Sequence, residues 1–218
     1  MFHVKPRAAP ASAVAVFAEA TPEAERFAGW LAGPGVERGL LGPREVDRIW
    51  SRHVLNCAVL DSFIPSGASV CDLGSGAGLP GIVVALLRPD VRMTLLEPLL
   101  RRATFLEEVV ADLGLPEVSV VRARAEDYRR QLPGHDAVVA RAVAPIDRLA
   151  GWAMPLLRPG GVLLALKGST AEDEVAAAGP ALDKVGAVGR EVVTVEVEGD
   201  VTQVVRIVRA PGSAGETR

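Results

Sequence analysis

Residues 72–81 decide the fold, and they are Asp72-Leu73-Gly74-Ser75-Gly76-Ala77-Gly78-Leu79-Pro80-Gly81. They follow a short apolar run and precede a helix-length apolar segment, which is the pattern of a turn between a strand and a helix. Glycines at such a turn permit positive φ angles and let a ligand approach the backbone closely. The stretch therefore predicts a ligand held against the backbone at the end of a first strand.

Short apolar runs alternate with helix-length segments after residue 68, and they cover residues 69–73, 92–97, 118–122, 136–140 and 162–166. This alternation predicts βαβ units and a parallel sheet. Two further runs, 191–198 and 201–208, have period-two alternation and are joined by Gly199-Asp200, as in an antiparallel hairpin. The sequence thus predicts an α/β fold with a seven-stranded, mainly parallel sheet that ends in an antiparallel hairpin.

The first 66 residues carry helix signals instead of strand signals. Thr21 before Pro22 predicts an N-cap, and the Gly-Pro-Gly sequence at 33–35 predicts the end of that helix. A second helix is expected to start at Pro43 and to stop at the Pro-Ser-Gly break of residues 65–67. We therefore expect an N-terminal helical cap in the same globule as the sheet.

Length and composition are those of one ordinary globular domain, because 49% of the 218 residues are hydrophobic and 23% are charged. We expect the cap at 1–66, a Rossmann-like core at 67–210 and a tail at 211–218. The apolar run at 13–18 stops at Glu19 and is too short for a signal sequence or membrane helix, so a cytoplasmic protein without membrane association is expected.

The two cysteines, Cys57 and Cys71, have neither CxxC spacing nor clustered histidines. They predict buried reduced thiols, not a metal site or a disulfide. The net charge of −3 does not indicate a nucleic-acid-binding protein, so any RNA site must depend on where basic side chains lie. No protein partner is evident, and a monomer is expected.

Two cofactors are compatible with the glycine-rich stretch. Residues 76–81 satisfy G-x-G-x-x-G and Glu97 lies about 20 residues on, so an NAD-dependent oxidoreductase stays open. Against NAD stand the acid Asp72 before the loop, Pro80 within the phosphate-facing turn, and a Pro-Gly-Gly turn before the fifth strand. S-adenosylmethionine instead needs a loop close to its amino-acid and ribose parts and a carboxylate that accepts hydrogen bonds from both ribose hydroxyls. Glu97 has the right position for that carboxylate.

The segment after the third strand is Arg124-Ala125-Glu126-Asp127. It lies where the adenine edge of such a cofactor is expected, which makes Glu126 and the backbone of Ala125 candidate contacts. An acidic first helical turn that is stabilised by the helix dipole is the alternative interpretation. The two roles are compatible.

Several motifs together resemble one known family: Arg52-His53 with Asn56, the loop at 72–81, residues 124–126, Arg141-Ala142, and Ala-Leu-Lys-Gly at 165–168. In the same order and spacing from about residue 43 to 168, they resemble the RsmG/GidB family of bacterial 16S rRNA guanine-N7 methyltransferases. The resemblance implies a class I, Rossmann-like fold, S-adenosylmethionine as cofactor, and transfer to N7 of guanine-527 in 16S rRNA or a small-subunit assembly intermediate. Gly-Leu-Leu at 39–41 departs from the Asn-Leu-Thr of many members.

The resemblance also implies roles for individual residues. Gly74, Leu79, Ala125, Glu126 and Arg141 match cofactor-binding positions of the family, and Arg124, Arg141 and Lys167 match its functional basic residues. With the residues singled out above, the expected cofactor set is Asp72, Gly74, Gly76, Gly78, Leu79, Glu97, Ala125, Glu126 and Arg141.

Methylation at guanine N7 requires no general base, because N7 carries a free lone pair, so the site must chiefly align the reactants. Arg141 and Lys167 follow the fourth and fifth strands and are candidates to hold the base through O6. Because the purine ring of the product gains positive charge, we expect Arg141 to contact a phosphate or a carboxylate instead of the base.

Candidate RNA contacts are Arg52, His53, Arg101 and Arg102. Arginines at 44, 48 and 52 are equally typical of a solvated helix face, and a lone histidine beside an apolar stripe is often structural. Two other classes of function stay open: a methyltransferase for another acceptor, and an RNA-binding module without turnover. The cofactor that binds would distinguish an oxidoreductase from a methyltransferase, and turnover would distinguish a methyltransferase from the RNA-binding module.

Overall fold

A computed structural model describes residues 8–128 and 134–212. The seven strands of its sheet are β1 (Ser69–Leu73), β2 (Arg92–Leu96), β3 (Val118–Val121), β4 (His135–Arg141), β5 (Leu157–Lys167), β6 (Ala187–Val197) and β7 (Asp200–Arg209). Their order is β3-β2-β1-β4-β5-β7-β6. Strands β1 to β5 are parallel, and β7 runs antiparallel to both β5 and β6. The predicted seven-stranded sheet with a terminal hairpin is confirmed.

The hairpin turn differs by one residue from the prediction. Val197 pairs with Asp200, so the two turn residues are Glu198 and Gly199, and both have positive φ angles of 49° and 81°. Two positive φ angles are what the right-handed twist of a tight hairpin requires. Asp200, which was expected in the turn, instead begins β7.

Helices cover both faces of the sheet. They are α1 (Ala11–Phe17), α2 (Thr21–Trp30), α3 (Asn56–Ala58), α4 (Gly81–Leu87), α5 (Leu100–Leu113), α6 (Ala125–Tyr128), α7 (Ile146–Ala153), α8 (Ala171–Ala177) and α9 (Gly179–Lys184). Irregular turns extend α2 and α3: a π-helix at Leu31–Gly35, and the run Pro43–Arg48 (3-10), Ile49–Leu55 (π) and Val59–Phe63 (3-10). In the described part of the chain, no helix has the length and apolar character needed to cross a membrane.

Two predictions about the first long helix are wrong. Thr21 lies inside α2 with helical φ and ψ angles, and its hydroxyl donates to the carbonyl oxygen of Ala18 at 2.7 Å instead of capping the helix. The Gly-Pro-Gly sequence does not end the helix but continues it as a π turn that contains Pro34. Leu31, just before that sequence, is fully buried, and tertiary packing of this kind commonly outweighs local propensity.

Alternate residues of the central strands face two apolar clusters. Val70 and Val139 pack with cap residues such as Phe27 in one cluster, whereas Cys71 and Val138 pack with Leu149 of α7 in the other. The cap thus shares its core with one face of the sheet, while the boundaries proposed at residues 66 and 210 stay predictions. Residues 213–218 of the expected tail lie outside the described residues. Both cysteines are buried and not disulfide-bonded.

Candidate active site

The glycine-rich loop connects β1 to α4 at the carboxyl edge of the sheet. Gly74, Gly76 and Gly78 have φ angles of 71°, 56° and 88°, which only glycine adopts readily. The amide of Gly74 donates to the carbonyl oxygen of Leu96 on β2 at 2.8 Å. A Cβ on Gly74 would come within 3.2 Å of Val143, so glycine also keeps the loop close to the segment after β4.

Asp72 lies beneath this loop and is fully buried. Its Oδ2 accepts a hydrogen bond from the amide of Gly81 at 3.0 Å, while Oδ1 has no partner among the described residues. Burial raises the pKa of Asp72 to about 7, although the hydrogen bonds from Gly81 and Ser75 oppose the shift. The carboxyl group therefore supports the loop from inside, and its predicted contact with a cofactor stays a prediction.

We expect Asp72→Asn to remove a pH dependence of stability. Between the unfolded pKa near 3.8 and the folded pKa of about 7, the folded protein keeps a proton that the unfolded chain has lost. The contribution of Asp72 to the free energy of unfolding therefore falls as pH rises through this window and levels off above pH 7. Between pH 5 and pH 8, the free energy of unfolding of the variant, measured with urea, should therefore rise by about 2 kcal/mol relative to that of the wild type.

Asp173→Asn, an exposed aspartate on α8, is the matched control for this measurement. Its difference from the wild type should be the same at both pH values. If the Asp72→Asn difference were also constant, Asp72 would have an ordinary pKa in the folded protein.

A cleft of about 580 Å³, called here the first cleft, opens above the loop. It is lined by the ends of β1 to β4, and Leu40 and Leu41 of the cap close one side. Of the expected cofactor residues, the lining includes Gly74, Gly76, Leu79, Glu97, Ala125, Glu126 and Arg141, together with Arg124. Asp72 and Gly78 do not line it, and a Cβ on Gly78 would lie 2.4 Å from Ile82, so Gly78 serves close packing of the loop on α4.

Glu97 is the buried carboxylate of the first cleft, with 2% of its surface exposed. Its Oε2 accepts from the amide of Gly76 at 3.0 Å, and its Oε1 accepts from the amide of Leu99 at 2.9 Å. Each carboxylate oxygen has a second lone pair, so Glu97 can hold two backbone segments and still accept hydrogen bonds from a vicinal diol.

A second cleft of about 480 Å³ adjoins the first. It is lined by Glu45, Arg48, Arg52, His53, Asn56, Arg141, Ala142, Leu166, Lys167, Gly168, Asp200, Val201 and Thr202. Arg141 and Ala142 line both clefts, and Ala142 has the unusual φ angle of 53°. Ligands in the two clefts would therefore meet at the end of β4.

Arg141 is held at this meeting point by the cap. Its guanidinium donates to Nδ1 of His53, to the carbonyl oxygen of Arg52 at 3.3 Å and to Sγ of Cys57 at 3.6 Å. Nε2 of His53 in turn lies 2.9 Å from Oε2 of Glu45. Burial, followed by the charge of Arg141, lowers the pKa of His53 to about 4, against the opposing effect of Glu45. The neutral ring thus accepts from Arg141 and donates to Glu45.

Lys167 is bound within the protein. Its ammonium donates to the carbonyl oxygen of Ala144 at 2.7 Å and to Oε2 of Glu174 at 2.8 Å, and 11% of its side chain is exposed. Arg124 lies at the rim of the first cleft and is exposed. The three expected basic residues are therefore not equivalent: Arg141 joins the two clefts, Lys167 borders the second, and Arg124 borders the first.

The candidate RNA contacts separate into two groups. Arg52 and His53 line the second cleft, where Arg52 is paired with Glu45 at 3.5 Å. Arg102 lies in the first cleft with its guanidinium 3.9 Å from Glu97, whereas Arg101 is exposed and lines neither cleft. The structure therefore brings Arg52 and His53, but not Arg101 and Arg102, to the second cleft.

Three residues of the site were not singled out from the sequence. Glu45 lies within hydrogen-bond distance of His53, Glu174 accepts from Lys167, and Trp152 of α7 lines the first cleft. Trp152 had a usable signal, because an aromatic residue near the carboxyl edge of the sheet is a natural lining for a flat ligand. The two glutamates had none, since acidic residues are common on both segments.

Comparison with known proteins relates most of the chain to one family. The family described as GidB, rRNA small subunit methyltransferase G, matches residues 20–201. A relative from Streptomyces avermitilis is 56% identical over 201 residues, covering 92% of this chain and 84% of its own. A second, from Streptomyces coelicolor, is 60% identical over 178 residues, covering 82% and 74%. Both are called ribosomal RNA small subunit methyltransferase G.

Solved structures support the fold. The crystal structure of a protein from Agrobacterium tumefaciens, described as a predicted O-methyltransferase, superposes with a TM-score of 0.56 at 20% identity, covering 75% of this chain and 90% of that chain. A precorrin-6y C5,15-methyltransferase from Geobacter metallireducens gives 0.55 at 18% identity, covering 79% and 91%. The strand β7, inserted antiparallel between β5 and β6, also distinguishes this sheet from the 3-2-1-4-5-6 order of dinucleotide-binding folds.

Proposed function

The chain belongs to the GidB family of rRNA small subunit methyltransferase G, and from that premise we propose that it methylates N7 of one guanine, guanine-527, in 16S rRNA. As a member of this family it is a methyltransferase that uses S-adenosylmethionine. The observation that carries the proposal is the meeting of the two clefts at Arg141 and Ala142. One cleft takes the methyl donor and the other the acceptor base, which is the arrangement that in-line transfer needs.

The first cleft fits S-adenosylmethionine in shape and chemistry. Glu97 offers free lone pairs to the ribose hydroxyls, the glycine loop leaves room beside Gly74 and Gly76, and Ala125 presents its backbone to the adenine edge. Bound there, the cofactor supplies an electrophilic methyl group on sulfur. Leu41 stands where many members of the family have threonine, and together with Leu40 it gives one side of the cleft an apolar lining.

The second cleft is the proposed guanine pocket. N7 is already a nucleophile, so the protein has to align it and exclude water instead of removing a proton. The side chain of Asn56 lines this cleft, and its amide group has no hydrogen-bond partner among the described residues, so it is available to a base edge. Amide and guanidinium groups are suitable donors to O6 of guanine.

Arg141 contributes mainly by position. Its three contacts within the chain are to uncharged groups, so its positive charge is not cancelled by a directly bonded carboxylate. Such a charge attracts the phosphate of an incoming nucleotide, which places the charge on the backbone and away from the cationic product ring. The phosphate of the acceptor nucleotide would thus bind Arg141, and the edge of its base would bind the side-chain amide of Asn56.

Transfer of labelled methyl groups tests the function. Purified protein and methyl-labelled S-adenosylmethionine are incubated with naked 16S rRNA and with small-subunit particles, both from cells that lack the endogenous modification. Strand cleavage selective for 7-methylguanine then maps the label, which we expect at a single guanine. Label on an exocyclic amine or a ribose would contradict N7 specificity, and tight cofactor binding with no transfer to either RNA would refute the rRNA substrate.

The same experiment addresses the partner. A preference for particles over naked RNA would identify an assembly intermediate as the partner. A cytoplasmic location is part of the proposal, because small ribosomal subunits are assembled there.

A further inference from the structure

The turn between β4 and α7, residues 142–145, forms the partition between the two clefts and is called here the partition turn. Ala142 lines both clefts, and Val143 lines the first cleft, where it limits the space beside Gly74. Any shift of the partition turn therefore changes the distance and angle between a ligand in one cleft and a ligand in the other.

Side chains from outside the partition turn hold it in place. In the described part of the chain, none of the turn and loop hydrogen bonds between backbone atoms involves Val143 or Ala144. Instead, the carbonyl oxygen of Ala144 accepts from Nζ of Lys167 at 2.7 Å. A backbone segment that makes no backbone hydrogen bonds of its own depends on such a contact for its position.

Glu174 of α8 directs the ammonium of Lys167 towards the partition turn. Its Oε2 lies 2.8 Å from Nζ of Lys167, and its Oε1 accepts from the hydroxyl of Thr170 at 3.3 Å. The hydrogen bond from Lys167, with smaller contributions from Thr170 and the backbone of Ile146, holds the pKa of Glu174 below its usual value. Ile146 is the first residue of α7 and directly follows the partition turn, so Glu174 also interacts with the backbone at the carboxyl end of this turn.

We propose that Glu174 is a positioning residue for methyl transfer, which acts through Lys167 to fix the partition turn between donor and acceptor. The proposal rests on the methyltransferase function above, and it gives Lys167 a role other than donating to the acceptor base. The two described contacts of the Lys167 ammonium, to Ala144 and to Glu174, together link α8 to the partition turn and are called here the clamp. Removal of either partner of the clamp therefore has the same consequence, a partition turn that is less well placed.

Kinetics of four variants test the clamp: Glu174→Ala, Lys167→Met, the double variant, and Glu172→Ala as the control. Glu172 is an exposed glutamate on the same helix, so its replacement changes charge and helix propensity in the same way. We expect Glu174→Ala and Lys167→Met each to lower kcat about tenfold with less than a threefold change in the KM for RNA. The double variant should be no slower than Lys167→Met alone, because both changes remove one clamp.

The opposite effect of Glu174→Ala on kcat is expected if the Lys167 ammonium instead donates to the acceptor base. Loss of Glu174 would then release the ammonium, and Glu174→Ala would keep or raise kcat while Lys167→Met abolished turnover. That outcome would overturn the proposal. A fall in kcat caused by general unfolding is recognised from the Tm of each variant, which should stay close to that of Glu172→Ala.

Hydrogen exchange gives a readout that needs no turnover. The backbone amide of Leu149, which donates to the carbonyl oxygen of Pro145 in the partition turn at 2.9 Å, should exchange at least about fivefold faster in Glu174→Ala and Lys167→Met than in the wild type and in Glu172→Ala. Unchanged exchange at this amide would refute the clamp whether or not the protein methylates rRNA. Faster exchange in a protein that shows no rRNA methylation would instead leave the clamp standing and refute only the proposed substrate.

Discussion

Replacement of Arg141 by alanine is expected to lower the rate of methyl transfer at saturating cofactor and RNA by about 100-fold or more. Preorganised charged donors at a reaction centre are typically worth about 3 to 4 kcal/mol, which corresponds to this range. Arg141 lines both clefts and is tied to the cap through His53, so its loss removes the anchor for the acceptor and also leaves Nδ1 of His53 without this donor. Cofactor affinity should fall less than the rate, by under about tenfold, since Glu97 and the glycine loop remain.

Single-turnover transfer of labelled methyl groups measures the rate, and calorimetric titration with S-adenosylhomocysteine measures the affinity. Arg148→Ala, an exposed arginine on α7, is the matched control and should behave as the wild type. Arg141→Lys should lie between the two, because lysine keeps the charge but cannot contact His53, Arg52 and Cys57 together. A rate within about threefold of the wild type for Arg141→Ala would show that the acceptor is anchored elsewhere.

The sheet could be predicted from the sequence because its central strands are short continuous apolar runs, as expected for parallel strands that are buried on both faces. Alternate residues of β1, β4 and β5 enter the two apolar clusters in turn, and glycine and proline punctuate the runs. The hairpin turn was missed by one residue because Gly199-Asp200 looks like the better turn by propensity. Pairing along β6 and β7 decides the register instead, since a shift of one residue would turn buried Thr202 and Val204 to the other face.

The cap was harder to predict, because its helices are irregular. A proline and two glycines at 33–35 normally stop a helix, yet Leu31 and Ala32 are buried against the sheet and the chain continues as a π turn. Pro43–Arg48 is a 3-10 helix and Ile49–Leu55 is a π-helix, so the i, i+4 arrangement expected for the arginines at 44, 48 and 52 is not that of a regular α-helix. The spacing of Arg48 and Arg52 therefore says little about which side chains share a face.

Motif residues located the site, but the sequence did not separate lining residues from supporting ones. Gly76 and Gly78 belong to the same motif, yet one lines the first cleft and the other packs against Ile82. Glu45 and Glu174 could not be found from spacing, because each reaches its partner through tertiary packing. Their roles depend on Arg141 and Lys167, whose positions at the strand ends could be predicted from the sequence.

Replacement of Glu97 by alanine is expected to weaken binding of S-adenosylhomocysteine about 100-fold. Hydrogen bonds to a charged group are worth about 1.5 to 3 kcal/mol each, and about 2.7 kcal/mol is 100-fold in affinity. The alanine variant loses the acceptor for the ribose and also leaves the amides of Gly76 and Leu99 without their partner, so the loop and the start of α5 lose their shared support. Glu97→Gln should weaken this binding almost as much, because its side-chain NH2 group would face one of these backbone donors.

Calorimetry on Glu97→Ala therefore tests whether Glu97 holds the ribose in the first cleft. Glu117→Ala, an exposed glutamate before β3, serves as the control and should bind as the wild type does. A carboxylate at the end of β2 can hold the ribose of S-adenosylmethionine or of NAD, so the variant alone does not distinguish these cofactors. The wild type must be titrated with NAD as well, and we expect no binding there. Loss of S-adenosylhomocysteine binding in the variant would then assign Glu97 to the ribose, whereas affinity within about threefold of the wild type would place the ribose elsewhere in the first cleft.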